Sequence, residues 1–279
     1  MASPAEVQVL PMSLAEHRPN GTPIVDRQHR ILILDVERLP GVATVDFWDL
    51  NDYKGRRIHA DSVGEWPRTI CAAWSWYGQK RVEFAAEWED GGREEMLRRT
   101  WRAYDDADIV VGHNLGRFDS RKLKGDWKLA GMPMPSPWKT VDTLAIARRE
   151  YSFESNTLDA LCKRFGLDGK NDRYDVKVAR AAVEGNVAAQ RRIKRYNQED
   201  VRQSILLYDA LRGNIPTHPH LGSWGDDRRC PQCGSDDLKL LDKRFKANVL
   251  EYAAYQCQAC LGYVRGTWEG RLAATRGIN

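Results

Sequence analysis

The stretch ILILDVERLP, residues 31–40, ends an unbroken apolar run with two carboxylates, Asp35 and Glu37, separated by one residue. The apolar run predicts a strand at the centre of a sheet, covered on both faces. A charge buried at that point costs free energy unless something pairs with it, and a metal ion is one such partner. A solvated strand end is the other explanation, so the pair has to be read with the rest of the chain.

Composition limits the class of protein. The chain has 279 residues, 42% hydrophobic and 29% charged, enough for one sizeable core and a small appended module. No apolar run approaches the roughly 18 residues that a membrane span needs, so we expect no membrane contact. The N-terminal segment lacks a basic stretch followed by a long apolar run and does not resemble a secretory signal. The net charge of +4 permits a nucleic-acid partner without requiring one.

Strand and helix patterns alternate along the chain after the first strand, which predicts a mixed α/β domain. Strands are predicted at 69–77, 81–88 and 108–114, and helices at 94–107, 118–131, 156–167 and 187–212. A short strand passing into a helix is predicted at 139–151, with Asp142 as its N-cap. The predicted division is an N-terminal tail or arm (1–28), an α/β domain (29–213), a linker (214–228), a cysteine module (229–270) and a C-terminal tail (271–279).

Two further acids follow elements that we expect to be buried. Asp119 comes after the strand at 108–114, in HNLGRFD, and Asp200 lies in the long helix, in YNQED. Tyr196 precedes Asp200 by four residues, so both lie on one face of that helix. Taken singly, these patterns are ordinary: a strand-to-helix turn, and a helix with one packed aromatic and one exposed acid. They become informative together if the strands are central and the helix crosses them.

In their order, these motifs resemble those of the DEDD superfamily of 3′–5′ exonucleases, whose members have an RNase H-like fold. The first motif matches at Asp35 and Glu37, and the other two match at Asn114, Phe118 and Asp119 and at Tyr196 and Asp200. The tyrosine subtype fits better than the histidine subtype, which would place a histidine where this chain has Arg195. The intervening sequence is similar to bacterial and phage exonucleases and to the proofreading domains of family B DNA polymerases. The resemblance spans about 29–213.

The resemblance implies a 3′–5′ exonuclease that acts in replication or repair. It would hydrolyse phosphodiester bonds of DNA, in single strands or at 3′ ends, with two Mg²⁺ or Mn²⁺ ions. Carboxylate ligands without His or Cys favour these hard cations over zinc. By the family pattern, Asp35 bridges both ions, Glu37 and Asp200 complete the shell of the first, and Asp119 holds the second. Tyr196 orients the attacking water. Weaker expectations are substrate contacts from Asn114, Lys122 and Arg195.

Two alternative functions stay open from the sequence. One keeps the fold and the ions but makes the chain a structure-specific endonuclease that cuts branched or flap nucleic acid. The other is a protein without catalysis that binds nucleic acid or a replication partner. The presence of all four acids and the tyrosine weighs against a decayed site.

The C-terminal region carries four of the six cysteines in two C-x-x-C pairs, Cys230/Cys233 and Cys257/Cys260. This spacing predicts a zinc ribbon with one structural Zn²⁺. Without a secretory signal, it also favours a reducing compartment, the cytoplasm, or the host cytoplasm for a phage-encoded protein. The module is rich in basic and aromatic residues, which suits single-stranded nucleic acid. Docking onto a replication or repair protein is the competing use.

Overall fold

The computed structural model describes residues 30–49, 57–167, 172–221, 229–247 and 250–271. The N-terminal tail or arm predicted at 1–28 lies outside the described residues. So do residues 222–228 of the predicted linker and 272–279 of the predicted C-terminal tail.

Within the described ranges, strands and helices follow each other much as the sequence patterns predict. In chain order they are β1 (Ile31–Leu39), β2 (Val42–Ala43), β3 (Val63–Glu65), β4 (Arg68–Trp76), β5 (Glu83–Ala86), α1 (Gly92–Asp105), β6 (Ile109–Gly112), α2 (Asp119–Leu129), β7 (Lys139–Asp142), α3 (Thr143–Glu150), α4 (Leu158–Arg164), α5 (Val176–Val183), α6 (Val187–Arg212), β8 (Leu238–Leu240), β9 (Phe245–Ala247), β10 (Leu250–Cys257) and β11 (Tyr263–Arg271). The prediction for 187–212 is confirmed, whereas the sequence patterns do not predict α5. None of the helices in the described part of the chain has the length and hydropathy required to span a bilayer.

The main sheet has the strand order β5-β4-β1-β6-β7, with β1 at its centre. β1 runs parallel to β6 and antiparallel to β4, and β6 runs parallel to β7. The pairing of β1 with β4 shifts register between Glu37 and Arg38, so β1 is irregular just past its two acids. A central strand of this kind is buried on both sides, as the apolar run predicts.

Side chains of β1 alternate between two cores because successive residues of a strand point to opposite faces. Ile31 and Ile33 pack on the face that α6 covers, together with Val201. Leu32 and Leu34 pack on the opposite face, in a cluster that also contains residues of α1 and α2. The predicted fold class is therefore confirmed as a mixed sheet flanked by helices, with a compact cysteine cluster near the C-terminus.

The cysteine module is a small sheet in the order β11-β10-β8, with β9 also paired to β10. It contacts the end of α6 at very short range: a Cβ atom on Gly213 would lie 1.9 Å from the carbonyl oxygen of Cys260, and one on Gly262 would lie 2.5 Å from the carbonyl oxygen of Gly213. Glycine is therefore required on both sides of this contact. Leu221, in the predicted linker, is buried and its backbone N–H donates to the carbonyl of Pro231. The domain boundaries themselves stay a prediction.

Candidate active site and metal centres

Three carboxylates meet on β1, which does not end at its two acids but continues past them to Leu39. Asp35, Glu37 and Asp200 each present an oxygen atom, and these atoms all lie within 4.8 Å of one another. Asp35 and Glu37 are two residues apart in a strand, so both point to the face that α6 covers. Asp200 lies on the buried face of α6 and completes the group. Acids from the first and third motifs, which are distant in sequence, thus contribute to one place.

Asp119 is the first residue of α2 and lies beside this group, although it is not one of the three carboxylates within 4.8 Å. Its Oδ1 accepts the backbone N–H of Val36, the residue between the two acids of β1, at 3.1 Å. Burial is the main cause that raises the pKa of the Asp119 carboxyl to about 7, with smaller contributions from the charges of Asp142 and Asp200, although its backbone donors lower it. A divalent cation at this position would lower that pKa, because it stabilises the ionised carboxylate.

Asn197 holds Asp35 in place, although it belongs to none of the sequence predictions. Its Nδ2 donates to the Oδ2 of Asp35 at 2.7 Å and to the carbonyl of Asp35 at 3.2 Å. The thiol of Cys71 lies 3.9 Å from the Oδ1 of Asn197, on the other side of the amide. Its position in the helix pattern is the sequence signal that could have identified it. Asn197 lies one turn from Ile193 and from Val201, which places it on the inward face of the helix. A polar residue on that face needs a hydrogen-bond partner.

Tyr196 lines a cleft of about 650 Å³ together with Tyr174. Its ring lies 6.4 Å from that of Tyr174, whose hydroxyl donates to the carbonyl of Arg38 at 2.5 Å. Arg195, a predicted substrate contact, is exposed. Its charge influences the carboxyl of Asp172, which lines the cleft. The hydrogen bond from Arg192 is the main cause that lowers the pKa of Asp172 to about 2, and the charge of Arg195 contributes to the same effect.

The loop that carries the second motif is anchored by Asp142. Asp142 caps α3 as predicted, accepting from the backbone N–H groups of Leu144 and Ala145. The same carboxylate also accepts from the backbone N–H groups of Asn114 and Gly116, each at 3.0 Å. Asn114 adopts a left-handed backbone conformation with φ of 67°, which non-glycine residues adopt mostly where the surroundings impose it.

Two residues next to the second motif have local partners. Both ring nitrogens of His113 are within hydrogen-bond distance of oxygen atoms: Nδ1 lies 3.0 Å from Oγ1 of Thr143, and Nε2 lies 2.9 Å from the carbonyl of Asn156. The ammonium of Lys122, a predicted substrate contact, lies 5.9 Å from the ring centre of Phe118. This distance is at the outer limit of a cation–π contact, so Lys122 keeps an exposed charge near the second motif.

Both clusters could hold metal ions. The acidic group offers only carboxylate oxygens, the donor type that hard divalent cations prefer. In the cysteine cluster, the sulfurs of Cys230 and Cys260 lie 3.6 Å apart, as do those of Cys233 and Cys257. Four sulfurs at about 2.3 Å from a tetrahedral zinc ion lie about 3.8 Å from one another, so the spacing fits four thiolates around one ion and not a disulfide. All six cysteines are free.

Comparisons with known proteins give a likeness of fold at low sequence identity. No protein-family model matches the chain, and neither does any curated protein. The solved structure of a family B DNA polymerase from the hyperthermophilic archaeon Pyrobaculum calidifontis is similar, with 19% sequence identity and a TM-score of 0.49. The match covers 66% of this chain and 25% of the polymerase chain, so this chain spans about a quarter of that protein's length. The function is therefore inferred from the site and the motifs.

Proposed function

We propose that the chain is a two-metal-ion 3′–5′ exonuclease that hydrolyses phosphodiester bonds of DNA, in single strands or at 3′ ends. The observation that supports this is the convergence of Asp35, Glu37 and Asp200 within 4.8 Å on the central strand, with Asp119 bonded to the backbone between the first two. Carboxylates this close repel one another, and divalent cations would offset that repulsion. The carboxyl end of parallel strands is also the place where open α/β sheets bind their ligands.

Each residue has a distinct role in this proposal. When bound, two divalent cations activate a water molecule and stabilise charge on the attacking and leaving oxygens. By the family pattern, Asp35 would be a ligand of both ions, Glu37 and Asp200 would complete the first site, and Asp119 would serve the second. A phenol is protonated at neutral pH, so Tyr196 orients the attacking water through a hydrogen bond and does not take its proton.

The assignment of the substrate and of the direction of cleavage is supported by different observations from the assignment of the metal ions. The cleft that Tyr196 lines contains the cations Lys163 and Arg173 together with the acids Asp159 and Asp172. The preference for DNA and the 3′–5′ direction follow from the resemblance of the motifs to exonucleases. The reduced thiols of the cysteine cluster suit the cytoplasm, where we expect the protein to act in replication or repair.

The cysteine module is proposed to hold one structural Zn²⁺ and to contact single-stranded nucleic acid. A cavity of about 630 Å³ on this module is lined by Lys243, Arg244, Phe245, Lys246 and Glu251. Phe245 is half exposed, so it offers a ring face to a base beside three cations that suit phosphates. A replication or repair protein is the alternative partner of this surface.

A cleavage assay tests the proposed activity. Single-stranded DNA labelled at its 5′ end is incubated with Mg²⁺ or Mn²⁺ and the wild-type chain, Asp35→Asn or Asp200→Asn. Glu199→Gln is the matched control, because Glu199 is the neighbour of Asp200 on α6 but pairs with Arg202 at the surface. We expect a ladder that shortens from the 3′ end. Each acid variant should slow it at least about 1000-fold, a loss of about 4 kcal/mol of transition-state stabilisation, whereas the control should cleave normally.

Other products would favour the alternatives. A single internal cut in a branched or flap substrate, with linear strands left intact, would replace the exonuclease with a structure-specific endonuclease at the same site. Intact DNA, RNA and branched substrates in Mn²⁺ would leave a nucleic-acid or replication-partner binding protein. Equal cleavage by wild type and Asp35→Asn would remove the acidic cluster from the mechanism.

A further inference from the structure

A second cavity beside the acidic cluster is unusually rich in arginine. It has a volume of about 290 Å³ and lies between the loop of the second motif and the start of α3. Its lining residues are Asn114, Arg117, Asp142, Leu144, Ala145, Arg148 and Arg149. Three guanidinium groups thus border one small concave site, which is named the arginine cavity below.

The arginine cavity carries positive charge that the protein offsets only in part. Arg117 and Arg148 are exposed, and within the described residues neither forms an ion pair. Arg149 pairs with its neighbour Glu150. The carboxylate of Asp142 is satisfied by four backbone N–H groups at 3.0–3.2 Å, which stabilise its charge locally. The cavity is therefore suited to an anion with several oxygen acceptors.

The position of the arginine cavity relates it to the acids. β1, β6 and β7 are adjacent parallel strands, with Ile33 opposite Val111 and Gly112 opposite Asp142. Asp35 and Asp142 therefore lie toward the same end of these parallel strands, two strand spacings apart, or about 10 Å. In a B-form duplex each strand advances about 3.4 Å along the axis per phosphate, and a single strand is more extended, so this distance spans at most about three nucleotides.

We propose that the arginine cavity binds a phosphate of the same nucleic-acid strand whose end lies at the acidic cluster, up to about three nucleotides from the scissile bond. Guanidinium groups bind phosphate oxygens in pairs of parallel hydrogen bonds, which position the strand as well as neutralise its charge. No aromatic side chain lines the cavity within the described residues, so a phosphate fits it better than a base does. This inference rests on the proposed function, because it places the strand that the acids would cut.

A binding experiment tests the arginine cavity without relying on cleavage. The Asp35→Asn chain, which we expect not to cut, is titrated into single-stranded DNA with a 5′ fluorophore at several salt concentrations. Arg148→Ala is added to this chain, and Arg102→Ala is the matched control: an exposed arginine on α1 outside the cavity. We expect Arg148→Ala to weaken binding about 10-fold and to reduce the slope of log K against log salt by about 0.7. Arg102→Ala should stay within about 2-fold of the parent.

A scan with single methylphosphonate linkages, each of which removes one phosphate charge, locates the phosphate. We expect one linkage near the 3′ end whose neutralisation weakens binding to the parent chain but not to the Arg148→Ala chain, because the contact is already lost. Equal binding by the Arg148→Ala and Arg102→Ala chains would overturn the inference. So would the same methylphosphonate profile in the parent chain and the Arg148→Ala chain. If the wild type cuts no substrate while the Arg148 effect is present, the proposed activity fails and the cavity stands.

Discussion

Asn197 connects the third motif to the first through a single amide. Its two hydrogen bonds to Asp35 fix the orientation of the carboxylate that we assign to both ions. Groups that orient a metal ligand typically contribute about 10–100-fold to metal affinity or activity. We therefore expect Asn197→Ala to raise the Mn²⁺ concentration needed for half-maximal cleavage by about that factor, measured by titrating Mn²⁺ in the cleavage assay.

Gln198→Ala is the matched control for this variant. Gln198 is the next residue of α6, and its amide donates to the carbonyl of Val82, away from the acids. Its loss should cost about 1 kcal/mol of stability and leave the Mn²⁺ dependence unchanged. If Asn197→Ala and Gln198→Ala have the same Mn²⁺ dependence, Asn197 is only a packing residue.

Individual site residues can be predicted to different degrees from the sequence. The four acids and Tyr196 stand in motifs with fixed spacing, so the sequence alone is enough to predict them as candidates. Asn197 and Asp142 act through hydrogen bonds to residues far along the chain, and a linear pattern does not reveal the partner of a buried polar group. Asp142 is predictable as a helix cap, but its bonds to Asn114 and Gly116 depend on how β6 and β7 pair.

α6 is the element that connects the two candidate metal centres. Its middle carries Tyr196 and Asp200, and its last residue, Arg212, is fully buried beside the cysteine module. The Arg212 guanidinium contacts the rings of both Tyr77 and Tyr208, at 5.0 and 5.2 Å from their centres. Arg212 Nε donates to the carbonyl of Gln232 at 2.6 Å and Nη1 to the hydroxyl of Tyr77 at 3.0 Å.

Replacing Arg212 should destabilise both the end of α6 and the cysteine module that packs on it. We expect Arg212→Ala to lower the free energy of unfolding by about 3 kcal/mol, because buried carbonyl and hydroxyl partners lose a charged donor. Denaturant unfolding measures the loss, and hydrogen exchange should show faster exchange in β8 and β10. Arg202→Ala is the control: an exposed arginine on the same helix, expected to change stability by less than about 0.5 kcal/mol. Equal stabilities for the two variants would contradict this expectation.

Elements with strong periodicity are the predictable ones. β1 has an unbroken apolar run and α6 has a long amphipathic pattern closed by a glycine, so the sequence predicts both closely. α5 escapes prediction because its sequence follows a polar, charged stretch and its helix is only eight residues long. Such short helices form mainly through packing on a neighbour, and α5 packs against α6.

The cysteine module packs directly against the end of α6 in the described residues. The module meets the helix end through Gly213 and Gly262 and through the buried Arg212. This contact is not predictable from the sequence, because neither a glycine nor an arginine near a helix end indicates what will pack on it. The C-x-x-C spacing predicts only the four ligands.

Loss of the zinc ligands should therefore affect more than the module. We expect Cys230→Ser to lose Zn²⁺, because a structural site needs all four ligands, and to lower the melting temperature of the whole chain in one transition. Metal analysis and calorimetry measure the two effects. Cys162→Ala is the control: it replaces a buried cysteine of the α/β core and should leave the zinc content unchanged. A separate early transition for the module, or a full zinc content in Cys230→Ser, would contradict the prediction.

The assignment of the acids to a two-ion site is tested most directly by counting ions. Mn²⁺ titrated into the zinc-loaded chain can be followed by electron paramagnetic resonance, which detects free Mn²⁺ and so gives the number bound. We predict two Mn²⁺ per wild-type chain in the presence of single-stranded DNA, two also in Glu199→Gln, and at most one in Asp35→Asn. No bound Mn²⁺ in the wild type, or the same number in wild type and Asp35→Asn, would contradict the two-ion assignment.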